Sequence, residues 1–155
     1  MKNTFLLYMC LLISTVMVNA QDAETSDIKW LTDFNTAKEL ATTSKKPILM
    51  YFTGSDWCAP CKMLKEDFFH TDRFEKTAKQ LVLLEVDIPR KEDVISPEQK
   101  EKNMSLMRTY NKEGGFPLVV ALDNNGSVLG EISAYSMLRD PSKHFSFVES
   151  IIENH

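Results

Sequence analysis

Two cysteines, Cys58 and Cys61, stand two residues apart in the stretch Trp57-Cys58-Ala59-Pro60-Cys61-Lys62. Thiols at that spacing close a small disulfide, exchange it with a partner's disulfide, or supply half of a metal site. The local pattern favours exchange. Before the pair, Pro47 to Thr53 is an apolar segment of strand length, stopped by Gly54. After it, Met63, Leu64, Phe68 and Phe69 recur at helical spacing beside Lys62, Lys65, Glu66 and Asp67. That pattern predicts an amphipathic helix to about Phe69, with Cys58 in its first turn. A sulfur there faces unpaired backbone N–H groups and the positive end of the helix dipole, both of which favour thiolate over thiol.

The elements that must hold this pair follow from the rest of the chain. A brief strand is expected over Ile28 to Leu31, then a helix capped by Asp33 or Thr32 and running to about Thr43. Past the dithiol helix, His70-Thr71-Asp72 makes a break, and Asp72 is the expected cap of a short helix through Phe74 and Ala78. Leu81 to Ile88 lacks strict alternation, as befits a central parallel strand covered on both faces. The polar segment 90–103 has two readings. One is a solvated loop leading into a helix, with Ser96 as cap, Pro97 at the first position and a Glu98–Lys102 ion pair. The other is a partner-selecting loop. The helix continues through Met104, Met107 and Tyr110, and Gly114-Gly115 ends it. Phe116 to Leu122 and Ser127 to Ile132 form a hairpin about Asp123-Asn124-Asn125-Gly126, and a helix carrying Phe145, Val148 and Ile152 closes the chain. The order predicts an α/β domain with a mixed central sheet between two helical layers.

Composition narrows the class. With 155 residues, 43% hydrophobic and 26% charged, the chain suits one soluble domain. Its net charge of −4 and the absence of a basic stripe with aromatics argue against nucleic acid. Residues 1–20 read as a signal peptide, with Lys2 in a basic start, an apolar run from Phe5 to Val18, and a small-residue cleavage site ending at Ala20. That leaves 21–155 as the domain. An uncleaved anchor is the other reading, but the run falls short of the roughly 20 residues a spanning helix needs. Export places the chain in the periplasm of a Gram-negative host, or outside the cell otherwise. Of the three cysteines, Cys10 leaves with the leader. A bridge closing so small a ring as Cys58 to Cys61 constrains the unfolded chain little, so reactivity explains the pair better than stapling. His70, His144 and His155 show no ligand spacing, so no metal is expected, and no nucleotide or flavin motif calls for a cofactor.

With Lys46-Pro47 opening a strand, Thr53 to Cys58 approaching the dithiol and Gly115-Phe116-Pro117 opening a later strand, the chain resembles the thioredoxin superfamily over about residues 28–153. More narrowly it is similar to exported thioredoxin-like proteins. The resemblance implies a thioredoxin fold and a thiol–disulfide oxidoreductase. Cys58 would be the exposed attacking thiol, its pKa lowered from about 8.5 to around 7 or below. Cys61 would be the buried resolving thiol. Pro60 would favour the helix start, and Pro117 would be the cis-proline that leaves Phe116 free to pair with an extended substrate. Trp57 would shield one side.

The same resemblance implies protein substrates carrying disulfides or thiols, a membrane electron donor, and action as a monomer. One departure stands out. Thioredoxins carry a buried acid before the motif and a lysine partner on the next long strand, where this chain has Met50-Tyr51-Phe52 and Leu83. Water, Glu85 or Glu66 are the candidates left to handle the proton of Cys61. A non-catalytic binding or chaperone-like module of the same fold is the alternative from another class. A thiol peroxidase is disfavoured, because no cluster supports a single peroxidatic cysteine.

Overall fold

A computed structural model describes residues 28–155. The leader expected at 1–20, with Cys10 inside it, lies outside the described residues. Strands are β1 (Trp30–Leu31), β2 (Ile48–Thr53), β3 (Val82–Asp87), β4 (Leu118–Leu122) and β5 (Val128–Ser133). Helices are α1 (Phe34–Ser44), α2 (Ala59–Leu64), α3 (Asp72–Ala78), α4 (Pro97–Tyr110) and α5 (Ser142–Glu153), with a π-helical segment at Lys65–Phe69 directly after α2. The sheet order is β1-β3-β2-β4-β5. β3 runs parallel to both β1 and β2, while β4 runs antiparallel to β2 and to β5.

Both faces of the sheet are covered, which is why β2 and β4 are buried along their length and apolar except for Thr53 at the end of β2. Successive side chains alternate between faces. Leu49, Tyr51, Leu83 and Val119 meet the aromatic layer of Phe68, Phe69, Phe74 and Phe145, and this layer also holds both cysteines of the motif. Ile48, Met50, Phe52, Leu84, Val86 and Val120 pack on the other side against Ala37 and Ala41 of α1 and Leu106, Met107 and Tyr110 of α4. Burying a Leu or Phe side chain stabilises by about 1.5–3 kcal/mol, so the two layers dominate the folding energy.

Local signals set the ends. Asp33 accepts the N–H of Thr36 at 2.9 Å, and Ser96 accepts that of Gln99 at 3.1 Å with Pro97 in the first turn. Glu98 and Lys102 pair at 3.0 Å, so 96–103 follows the helix-start reading. Three expectations shift. The first strand begins at Trp30 rather than Ile28. The cap of α3 is Thr71, whose Oγ1 accepts the N–H of Phe74 at 3.2 Å, while Asp72 sits one step inside, where its charge still favours the dipole. The helix after the dithiol changes character at Lys65, where His70 N–H reaches back five residues to Lys65 O at 2.9 Å. Adjacent Phe68 and Phe69 are both buried in that wider turn.

Candidate active site

β2 delivers the chain to Thr53, and the backbone then folds back on Gly54, whose carbonyl accepts the N–H groups of Trp57 at 3.1 Å and Cys58 at 2.8 Å. Cys58 is the N-cap of α2 rather than a member of its first turn, and its Sγ accepts the N–H of Cys61 at 3.2 Å. A sulfur thus occupies the place where Asp33, Thr71 and Ser96 put oxygen in α1, α3 and α4. Pro60 sits in the first helical turn, where its missing N–H costs nothing. Cys58 and Cys61 are joined by a disulfide with their Cα atoms 5.3 Å apart.

The expected exposure of Cys58 is not met in this bridged state: Cys58 is 3% exposed and Cys61 1%. Both cysteines lie in the buried cluster against which Trp57 and Phe116 pack. Pro117 is buried, while Trp57, Pro60 and Phe116 are half-buried. The Phe116–Pro117 peptide is cis, and Phe116 precedes Leu118, the first laddered residue of β4. Its ring meets Trp57 edge-on at 5.2 Å. The structure therefore brings Trp57, Cys58, Pro60, Cys61, Phe116 and Pro117 into one neighbourhood, with the aromatic pair forming one wall.

Trp57 is fixed from several sides. Its Nε1 donates to Ile88 O at 2.8 Å, and the Arg90 guanidinium lies 4.4 Å over the ring. A Cβ at Gly54 would overlap the indole, so glycine is needed there for the ring to lie flat on the turn. Asp56 accepts the N–H groups of Arg90 at 3.1 Å and Lys91 at 2.9 Å. Burial by itself would raise its pKa, yet those two N–H bonds hold it below the usual carboxylate value. Ser55 N–H donates to Asp87 Oδ1 at 2.8 Å, and the Ser55 hydroxyl binds the other oxygen. The start of the polar 90–103 segment is thus bound to the approach of the motif. On the other side, the Asn111 amide brackets Gly115, donating to its carbonyl at 2.9 Å and accepting its N–H at 3.1 Å.

This geometry can be compared with known proteins. Residues 29–124 match the family model described as thioredoxin-like. The chain belongs to the thioredoxin-like family. It is 33% identical over 108 residues to the disulfide bond reductase DsbH of Chlamydia pneumoniae, a match covering 69% of this chain and 63% of that protein. It is 29% identical over 114 residues to the thiol:disulfide interchange protein DsbD of Campylobacter jejuni, covering 71% of this chain but 18% of DsbD. A solved DsbH oxidoreductase superposes with a TM-score of 0.70 at 30% identity, covering 82% of this chain and 85% of that one. The match thus spans less than two thirds of either curated relative.

Within this thioredoxin-like chain, the space behind the disulfide carries no buried acid at the position of Tyr51. The Tyr51 hydroxyl instead donates to Cys61 O at 3.0 Å, and burial pushes its pKa well above the ordinary phenol value. Glu85 pairs in register with Tyr51, which settles its side: it lies on the dithiol face of the sheet, ion-paired to Lys65 at 3.2 Å. Glu66 is held away by Arg139 at 2.9 Å. Among the described residues, no group of three or more His, Cys, Asp or Glu is placed to hold a metal. A cavity of about 800 Å³ lies beside β1 and between α1 and α3, lined by Ile28, Leu31, Leu40, Ala78 and Leu83, and holds none of the site residues.

Sequence reasoning missed the polar braces: Asp56, Arg90, Asn111 and the Tyr51 hydroxyl. The available signals were an acid beside the motif and an asparagine just ahead of the Gly114-Gly115 pair.

Proposed function

We propose that this protein is an exported thiol–disulfide oxidoreductase that reduces or exchanges disulfides in exported proteins. The observation that carries the reading is the Cys58–Cys61 bridge at the N-cap of α2 beside cis-Pro117. In the reduced enzyme the Cys58 thiolate sits where the Cys61 N–H and the helix dipole favour negative charge. It attacks one sulfur of a substrate disulfide, forming a mixed disulfide and releasing the other sulfur as thiolate. The Cys61 thiolate then attacks Cys58 Sγ, closes the observed bridge and releases the second substrate sulfur. Two electrons pass from the dithiol to the substrate, and the proton of Cys61 leaves to solvent or to a released thiolate. Trp57, Pro60, Phe116 and Pro117 form the rim against which the substrate chain lies.

The similarity to the disulfide bond reductase DsbH and the thiol:disulfide interchange protein DsbD supports this chemistry. The leader-like pattern of residues 1–20 supports export, with 21–155 as the mature domain, periplasmic in a Gram-negative host. In an oxidising compartment the bridge must be reopened, and a membrane electron donor fits that need. The protein should reduce a protein disulfide with dithiothreitol as electron source, and Cys58→Ser should abolish this. Equal activity in that variant would sink the reading. The mass of the purified exported protein should correspond to a chain beginning at Gln21.

A further inference from the structure

We propose that Arg90 is a specificity residue of the dithiol site: its guanidinium, held over the Trp57 ring, takes a carboxylate of the substrate segment that carries the disulfide. The inference rests on the oxidoreductase reading above and adds that the preferred segments have Asp or Glu near the exchanging cysteine.

The chain leaving β3 is pinned to the site almost residue by residue. The Asp87 carboxylate accepts the N–H and the hydroxyl of Ser55, and Ile88 O accepts Trp57 Nε1–H at 2.8 Å. Asp56 then accepts the N–H groups of Arg90 and Lys91, one on each carboxylate oxygen. Every one of these bonds joins residues 55–57 to residues 87–91, so the backbone that carries Arg90 is fixed to the residues just before Cys58. None of them uses the Arg90 side chain. Its guanidinium lies over the indole, with Cζ 4.4 Å from the ring centre.

What singles out Arg90 is that its charge is unmatched. The other arginines each meet an acid: Arg73 meets Glu149 at 2.6 Å, Arg108 meets Glu101 at 3.0 Å, and Arg139 meets Asp67 at 2.6 Å and Glu66 at 2.9 Å. Among the described residues no carboxylate pairs with the Arg90 guanidinium. Asp56 and Asp87 direct their oxygens at the N–H and hydroxyl groups above, and Glu92 and Asp93, which follow in the chain, close no pair with it. Bracing the indole does not require this charge. Trp57 is already held by its bond to Ile88 O, by its edge-on contact with Phe116 at 5.2 Å and by the bare Cα of Gly54.

The chemistry of the group identifies the partner. A guanidinium over an aromatic face loses water on one side, while its N–H groups form the planar fork that matches a carboxylate with two parallel bonds. Arg90 is exposed, so that fork is open. Trp57 connects it to the sulfur: it precedes Cys58, shares the Gly54 carbonyl with it, and packs against the cluster that contains both cysteines. A carboxylate bound at Arg90 is therefore one side chain away from the dithiol. Against a net charge of −4, one unmatched cation beside the site selects an acidic group placed there rather than acidic proteins at large.

The test measures the second-order rate constant of the reduced full protein with disulfide-bearing peptides, alike except for Glu, Gln or Lys at one of the positions flanking the cysteine on either side. At the position that reaches Arg90, the wild type should react about fivefold faster with the Glu peptide than with the Gln peptide at low ionic strength, the scale of one exposed charge pair. That ratio should shrink in about 1 M salt, where the screening length is about 3 Å. Arg90→Gln should bring it to one, and Arg90→Glu should invert it, so that the Lys peptide reacts fastest. Both variants keep the backbone bond to Asp56, and cooperative urea unfolding checks that they are folded. An inverted preference is an outcome that lost structure does not produce. No Glu preference at any position in the wild type, or one unchanged in Arg90→Gln, overturns the proposal while leaving the oxidoreductase reading intact. Equal slowing of Arg90→Gln on all peptides also overturns it, and assigns Arg90 to bracing Trp57. Wild-type inactivity on every peptide and on oxidised glutathione would bring down both readings.

Discussion

His144 has both ring nitrogens buried without a hydrogen-bond partner, between Phe68 with ring centroids 5.7 Å apart and Tyr135 at 5.6 Å. Burial holds its pKa below the usual 6.5, since the charged ring would have to give up water for aromatic neighbours. The unfolded chain takes up this proton near pH 6.5, whereas the folded chain does so only at lower pH. Between the two values the unfolded state binds more protons, so the stability from neutral His144 is complete above about pH 6.5 and declines as pH falls below it. His144→Phe should remove that dependence. Thermal midpoints at pH 7 and pH 5 should fall further apart in the wild type than in the variant, and equal differences would show that other groups set the acid sensitivity.

At the scale of elements, the site depends on how a few segments end. The cysteine pair, the strand before it, the proline turn and the caps at Asp33 and Ser96 were legible in the sequence because each is a local pattern. What was not legible depends on residues that meet only in the fold. Cys58 is buried in a cluster to which Phe116 contributes from a distant turn. The side of Glu85 needed the β2–β3 register. Thr71 displaces Asp72 as cap because both are good cap residues and sequence alone does not rank neighbours. Asn111 looked like an ordinary helix-end polar residue, yet it is 3% exposed and holds Gly115 by two hydrogen bonds, which sets the path into Phe116-Pro117. Asn111→Ala should destabilise by about 1 kcal/mol, the net worth of the hydrogen bonds that its buried amide makes to the exposed Gly115 backbone. It should also lower kcat/KM on a protein disulfide more than on a small one. Urea unfolding and the two rate measurements check this, and equal losses on both substrates would separate Asn111 from the substrate-facing turn.

Across the whole molecule, the dithiol sits on a core that does not need it. Phe68 lies 4.7 Å from Phe145 and 4.8 Å from both Phe69 and Phe74, joining the π segment, α3 and α5 under one face of the sheet. Phe68→Ala should cost about 3–5 kcal/mol. Opening the bridge should cost less, because closing a 15-residue loop is worth about 3 kcal/mol and this ring is far shorter. Urea unfolding of the reduced wild type and of the oxidised variant ranks the two effects. If reduction proved the more costly, the bridge would be a staple and its availability for exchange would be in question.

The most direct measurement of the central claim is trapping with Cys61→Ser. Removing the resolving sulfur should leave Cys58 joined to a disulfide-bearing protein substrate as a stable adduct, visible as the summed mass and released by dithiothreitol. The Cys58→Ser/Cys61→Ser variant should form none. Failure of Cys61→Ser to form an adduct, with Cys58 also inert to alkylation, would contradict a dithiol that cycles through Cys58.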